Sequence, residues 1–150
     1  MIKFGTPVPS EVDARIPDLA RRLSADARVA AVWLFGSRAH GDADALSDVD
    51  LAVLAAGVPT QQELATWQLE WLCAANETLR TDEVSLVVLN RAPLVLRSEA
   101  LRGARLLFAR SPEIAADYEL ATIQACLDFR DRLDDYDREL LAQARAGRLR

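Results

Sequence analysis

Lysine is almost missing from this chain: among 150 residues only Lys3 carries an ammonium, and every other basic side chain is a guanidinium. A charged contact to phosphate would therefore use the fork geometry of arginine. There are two cysteines, Cys73 and Cys126, without CxxC spacing, and a single histidine, His40. A disulfide framework or a zinc site is not expected, and both cysteines read as small core residues. Six glycines and six prolines are too few for a collagen-like or low-complexity chain. The longest apolar run, Val29–Phe35, is far too short to span a membrane. The first fifteen residues mix Lys, Pro, Glu and Asp and do not read as a secretory leader, so the cytoplasm is the expected compartment. No basic excess exists either; the net charge of −5 argues against a broad electrostatic grip on nucleic acid.

What is present is an ordinary globular composition, 51% apolar and 27% charged, in a length that suits one domain over residues 1–150. Ser10 and Asp13 suggest a capping box ahead of a helical stripe of Val12, Ile16, Leu19, Ala20 and Leu23, in which Pro17 marks either a kink or the start. Residues 29–35 read as a buried strand ending at Gly36, and residues 47–54 as a second, with Val49, Leu51 and Val53 on one face and Asp48, Asp50 and Ala52 on the other. Thr60 and Glu63 form a capping box for a helix to about residue 79. A third strand over 84–89, a short helix ending near Gly103 and a fourth, edge strand over 105–109 follow. Ser111-Pro112-Glu113 supplies the N-cap, N1 proline and acidic first turn of a final helical region over about 112–146. Alternating strands and helices indicate an α/β or α+β domain around one small sheet.

The segment that carries chemistry joins the first two strands. Gly36-Ser37 closes one strand, ten residues intervene, and Asp48-Val49-Asp50 opens the next. Residues two apart on a strand share a face, with about 6.5–7 Å between Cα atoms, so the two carboxylates can converge on one cation. Oxygen ligands without histidine or cysteine favour Mg²⁺, which typically takes one or two carboxylates plus substrate phosphates. Gly36 lets the backbone approach a phosphate, and Ser37 offers both N–H and hydroxyl. At ordinary residue frequencies the pattern should arise by chance in only about one of several hundred chains of this length. The alternative is an ordinary turn at Ser47-Asp48 followed by a solvated Asp50.

Written as GS-x10-DxD, this pattern resembles the signature of the nucleotidyltransferase superfamily. The fuller string from Trp33 to Leu54 is similar to its minimal nucleotidyltransferase (MNT) branch, and the resemblance extends over about residues 17–141. It implies the nucleotidyltransferase fold, a small mixed sheet flanked by helices with a long C-terminal helical region. Members of that branch are commonly antitoxins encoded beside HEPN-domain toxins. The resemblance therefore implies transfer of AMP from ATP, with Mg²⁺, onto a tyrosine of a HEPN toxin, in a hetero-oligomer with that partner. By position, Gly36 and Ser37 match the residues that hold the nucleotide phosphates, Asp48 and Asp50 the metal-binding pair, and Arg38 a common basic residue after Gly-Ser that can reach the triphosphate.

One position departs from the family. Its third carboxylate belongs in a segment usually reading Val-Asp-Leu-Val, and here the segment is Val84-Ser85-Leu86-Val87. Ser85 can neither hold a cation as an anion nor take a phenol's proton near neutral pH, and a positioned base is typically worth about 10²–10⁴ in rate. Three readings follow: Glu83, on the same strand face, reaches in; Asp48 and Asp50 support slow transfer alone; or the chain binds nucleotide and partner without catalysis. A transferase for a small hydroxylated acceptor is a further alternative, disfavoured because little chain is left for a separate acceptor domain.

Other residues have plain readings beside their functional ones. His40 lies in the loop near the expected phosphates and is either a nucleotide contact or solvated, while Asp42 and Asp44 read as turn formers. Trp33, Trp67 and Trp71 read as core. Cys126, Phe129, Leu133, Tyr136 and Leu140 recur at spacings of three and four in the last helix. Either that helix packs wholly on its own sheet, or its half beyond Phe129, flanked by Asp134, Asp135, Asp137 and Glu139, faces a helical partner.

Overall fold

The structure, a computed structural model, describes residues 7–41 and 47–147. Asp42 and Asp44 lie outside the described residues. Helix α1, Val12–Ser24, buries Val12, Ile16, Leu19 and Leu23, the stripe its spacing predicts. Its N-terminus differs from expectation. Glu11 is the N-cap and no side chain caps the helix, so the Ser10–Asp13 box does not form. The Asp13 carboxylate is instead drawn to Arg38, 3.0 Å away. Pro17 stands inside the helix rather than at its start.

Strand β1, Val29–Phe35, is the most deeply buried strand because both of its faces are covered. Strand β2, Val49–Ala55, runs antiparallel to it, and β3, Val84–Val88, lies parallel to β2 on the far side. A parallel neighbour needs a crossover, and α2, Gln61–Leu79, supplies it. The expected Thr60–Glu63 box is formed: the Glu63 amide donates to Thr60 Oγ1 at 3.1 Å and the Thr60 amide to Glu63 Oε1 at 3.2 Å. A 3₁₀ turn at Leu89–Arg91 and helix α3, Leu94–Leu101, lead to β4, Arg105–Ala109. Strand β4 pairs antiparallel with β1 as an edge, giving the order β3-β2-β1-β4. Helix α4, Pro112–Arg145, starts with the expected Ser111 cap.

The pleat sorts side chains into two layers. Val32, Leu34, Leu51, Val53, Leu86 and Val88 pack beneath α1 and α2. Ala31, Trp33 and Ala52 face Ala100 of α3 and Ala115 of α4. Trp33 and Trp71 are buried as expected, and Trp67 lies against Trp71 with ring centroids 6.0 Å apart. The expectation of core cysteines is corrected. Cys73 is exposed, because it falls on the side of α2 turned away from buried Trp71 and Ala75, and Cys126 is partly exposed. Among the described residues no helix is long and apolar enough to cross a membrane.

The end of the sheet away from the Gly36 turn is tied at the α1–β1 connection. Asp26 accepts from the Arg28 amide, its guanidinium and Trp71 Nε1 at 2.7–3.3 Å. Those donors, Arg28 foremost, hold its carboxyl far below the usual carboxylate range. Arg28 also pairs with Glu70 at 2.8 Å and lies over the rings of Trp67 and Trp71. Charge-assisted bonds of this kind are worth roughly twice neutral ones. Asp26→Ala is therefore expected to cost about 2–3 kcal/mol in a urea titration near pH 7, several times the effect of removing the exposed Asp135–Arg138 pair on α4.

Candidate functional site

Phe35 faces Asp50 across the antiparallel β1–β2 pair, and Asp50 faces Ser85 across the parallel β2–β3 pair. One register row thus carries the end of β1, the second aspartate and the departing serine, on strands about 4.8 Å apart. Asp48 precedes Asp50 by two residues, just outside β2. Their face is the one that further along the sheet carries Trp33, Ala52 and Val87 under α3 and α4. At this end neither helix covers it, which leaves Asp50 and Ser85 partly open.

Gly36 turns the chain directly over Asp50. Its φ is +73°, and a Cβ there would collide with Asp50 Oδ2, so conformation and space both demand glycine. The Ala39 amide donates to the Gly36 carbonyl at 3.1 Å, closing the turn that carries Ser37. The five residues at Gly36, Ser37, Asp48, Asp50 and Ser85 therefore gather at one end of the sheet, although Gly36 and Ser85 are far apart in sequence.

Arg38 takes a different position from a residue open to a triphosphate. Its side chain is 4% exposed, with Nη1 donating to Asp13 at 3.0 Å and Nη2 to the Ser47 carbonyl at 2.8 Å. It joins the start of α1 to the residue just before Asp48. Sequence reasoning missed Asp13 as part of this brace, since nothing local links it to a residue 25 positions away. His40 is exposed, and its imidazole packs on Gly103 at the turn before β4, where a side chain would displace it. Glu83, just ahead of β3, is 1% exposed; its carbonyl accepts from the Val49 amide at 2.9 Å and its amide donates to Thr81 Oγ1 at 3.1 Å. Beside the site, α3, Arg102-Gly103 and α4 enclose a cleft of about 470 Å³ lined by Glu119, Thr122, Cys126 and Arg130. Glu119 is fixed on the sheet side, accepting from Trp33 Nε1 at 2.7 Å.

The electrostatics set Asp50 apart. Burial, aided by the neighbouring charge of Asp48, pushes its carboxyl up from 3.8 to about 6. Two carboxylates forced onto one face, one of them short of water, form a site that a divalent cation would relieve. Asp48 and Asp50 fit such a cation if the substrate supplies further oxygens. Among the described residues no cluster of three His, Cys, Asp or Glu side chains is arranged to hold a metal. With serine at position 85 the site is two carboxylates and a hydroxyl.

A glycine turn packed on the second of two same-face aspartates, at the end of a small mixed sheet, is the arrangement from which the class of the protein is read. Residues 18–113 match the family described as polymerase β, nucleotidyltransferase, and the chain belongs to that family. No curated protein matches the sequence significantly. Among solved structures, the fold is similar to a toxin–antitoxin with AMP-PNP, at a TM-score of 0.65 and 22% identity over 86% of this chain and 98% of the other. It is also similar to a chain from the tri-AMPylated HEPN toxin in complex with MNT antitoxin of Shewanella oneidensis (TM-score 0.63, 18% identity, 87% and 98% covered). A third such structure, the toxin–antitoxin MntA-HepT, gives a TM-score of 0.59 at 20% identity over 89% and 99%. These likenesses establish the expected nucleotidyltransferase fold.

Two outcomes test this geometry. Gly36→Ala is expected to push Asp50 aside and abolish nucleotide-dependent stabilisation in a thermal-shift assay, with an intrinsic loss of at least about 1 kcal/mol from the left-handed backbone alone. Asp50→Asn should do the opposite to the empty protein. Between about pH 4 and 6 the folded chain holds a proton on Asp50 that the unfolded chain has released. Its contribution to stability is therefore full below pH 4 and is lost as pH rises towards 6 and above. The asparagine variant should melt about 3 °C higher at pH 7.5 and lack this part of the pH dependence, as calorimetry from pH 4 to 8 would read.

Proposed function

We propose that this chain is an antitoxin-type protein adenylyltransferase, which transfers AMP from MgATP to a tyrosine of a cognate HEPN toxin and so neutralises it. The observation that carries the reading is the Gly36 turn lying on Asp50, with Asp48 on the same face and the catalytic end of the sheet open. The AMP-PNP and AMPylated-toxin complexes among the similar structures support the nucleotide and the acceptor.

In this reading the Gly36 and Ser37 backbone and the Ser37 hydroxyl cradle the phosphates. Asp48 and Asp50 would hold Mg²⁺, which would supply neutralisation of charge on the phosphate oxygens. Arg38 acts from behind, holding Ser47 so that Asp48 enters β2 in register with Asp50. The tyrosine oxygen bonds to the α-phosphorus, the bond to pyrophosphate breaks, and the phenol's proton leaves. Ser85, in the row beside Asp50, hydrogen-bonds but does not remove that proton, so its release to solvent makes transfer slow.

Ser85 also favours a second reading, neutralisation by binding alone. Intact-mass measurement of the partner toxin after incubation with this chain and MgATP separates the two. AMP increments with the chain as it stands, lost in Asp50→Ala, support transfer. Under this reading Ser85→Asp should accelerate them by about 10²–10⁴. No increment until Ser85→Asp is introduced would sink transfer by this sequence and leave binding as the protective mechanism.

A further inference from the structure

Helix α4 outgrows the domain it belongs to. Its first turns pack on the sheet through Ala115, Tyr118 and Thr122, but every residue from 131 to 139 is exposed. A helical segment of this length is marginal in water without an apolar partner. Its apolar positions are nonetheless regular: Cys126, Phe129, Leu133, Tyr136 and Leu140 alternate spacings of three and four, the seam of a coiled coil, and the polar Gln143 takes the next position and closes it. Phe129, Leu133 and Tyr136 are 45%, 47% and 59% exposed, so no other described element covers the middle of the seam.

We propose that two copies of this chain pair through the distal halves of α4, antiparallel about a two-fold axis between Leu133 and Tyr136. The seam is symmetric about that point. Leu133 meets Tyr136 of the second copy, Phe129 meets Leu140, and Cys126 meets Gln143, each contact occurring twice. The flanking charges choose this occupant. In an antiparallel pair the positions just beyond the seam face their own kind, which places Arg130 against Asp137 and Arg132 against Glu139 of the second copy. The remaining flanking residues over this stretch, Ile123, Ala125, Ala144 and Ala146, are uncharged, so no like charges meet. A parallel pair sharing the same register would instead set Arg132 of one copy against Asp137 of the other but give Leu133 and Tyr136 only their own copies to pack on. Of the two, only the antiparallel arrangement sets an aromatic ring against a leucine at each of its four central contacts and matches both ion pairs. The seam runs about 26 Å along the helix. At its Cys126 end it opens into the cleft between α3 and α4, leaving room for the other helix's C-terminal turn.

This pairing does not rest on the transfer reaction and stands or falls separately from it. Light scattering on the full chain alone, at about 50 μM, is expected to give twice the monomer mass of 16.5 kDa. Leu133→Asp should return it to the monomer, with circular dichroism confirming that the domain remains folded. Arg132→Glu or Glu139→Arg alone should weaken the dimer about tenfold or more, and the two together should restore it, an outcome that general loss of structure would not produce. A wild-type chain of monomer mass overturns the proposal, as does a dimer indifferent to Leu133→Asp or charge variants that the double exchange does not rescue. A monomer whose capture of the toxin is lost in Leu133→Asp also overturns it and assigns the seam to a toxin helix.

Discussion

The contact between Gly36 and the Asp50 carboxylate is the constraint around which the site is arranged. A backbone turn occupies the volume a side chain would need, and a carboxylate oxygen fills it. The turn and the aspartate belong to neighbouring antiparallel strands, so the distance between them is set by the sheet's hydrogen-bond ladder and not by a flexible loop. Ser37 inherits its position from that turn, and Ser85 from the next ladder across. The brace from Arg38 to Asp13 and the Ser47 carbonyl then fixes the approach to Asp48 from outside the sheet.

The same packing loads the site electrostatically. Burying Asp50 beside Asp48 raises its proton affinity, which costs stability at neutral pH. The opposite end of the sheet offsets such a cost with a well-satisfied carboxylate, Asp26, surrounded by Arg28 and Trp71. One aspartate is held where it is comfortable and serves structure. The other is held where burial and a like charge work against its ionised form, and a cation would relieve both.

Much of this was legible in the sequence because the signals were local and periodic. Residues 29–35 and 47–54 read as strands through β-branched apolar runs, and the structure places the second at 49–55; the parity of Asp48 and Asp50 alone puts them on one face. The Thr60–Glu63 box and the Ser111-Pro112 start were equally readable. What failed depended on partners far along the chain. Asp13 looks like half of a cap until Arg38 claims it. Cys73 reads as core until the phase of α2 is fixed by Trp71 and Ala75. Strand order was beyond reach, since nothing local says that β4 joins β1 rather than β3. Ser85 was conspicuous only against a family pattern; by composition it is an unremarkable strand residue.

Helix α4 is joined to edge strand β4 by only Arg110 and Ser111, and the Arg110 guanidinium grips the carbonyls of Ser24, Asp26 and Val29. With its base clamped and 34 residues in one helix, it forms an arm about 50 Å long. Leverage follows from length. A tilt of 5° at the clamped turns carries the far end about 4 Å, close to the rise of three helical residues. Whatever seats on the arm can thus be steered through a large displacement by a small repacking beneath Ala115 and Tyr118, a few residues from the Glu119–Trp33 bond under the sheet.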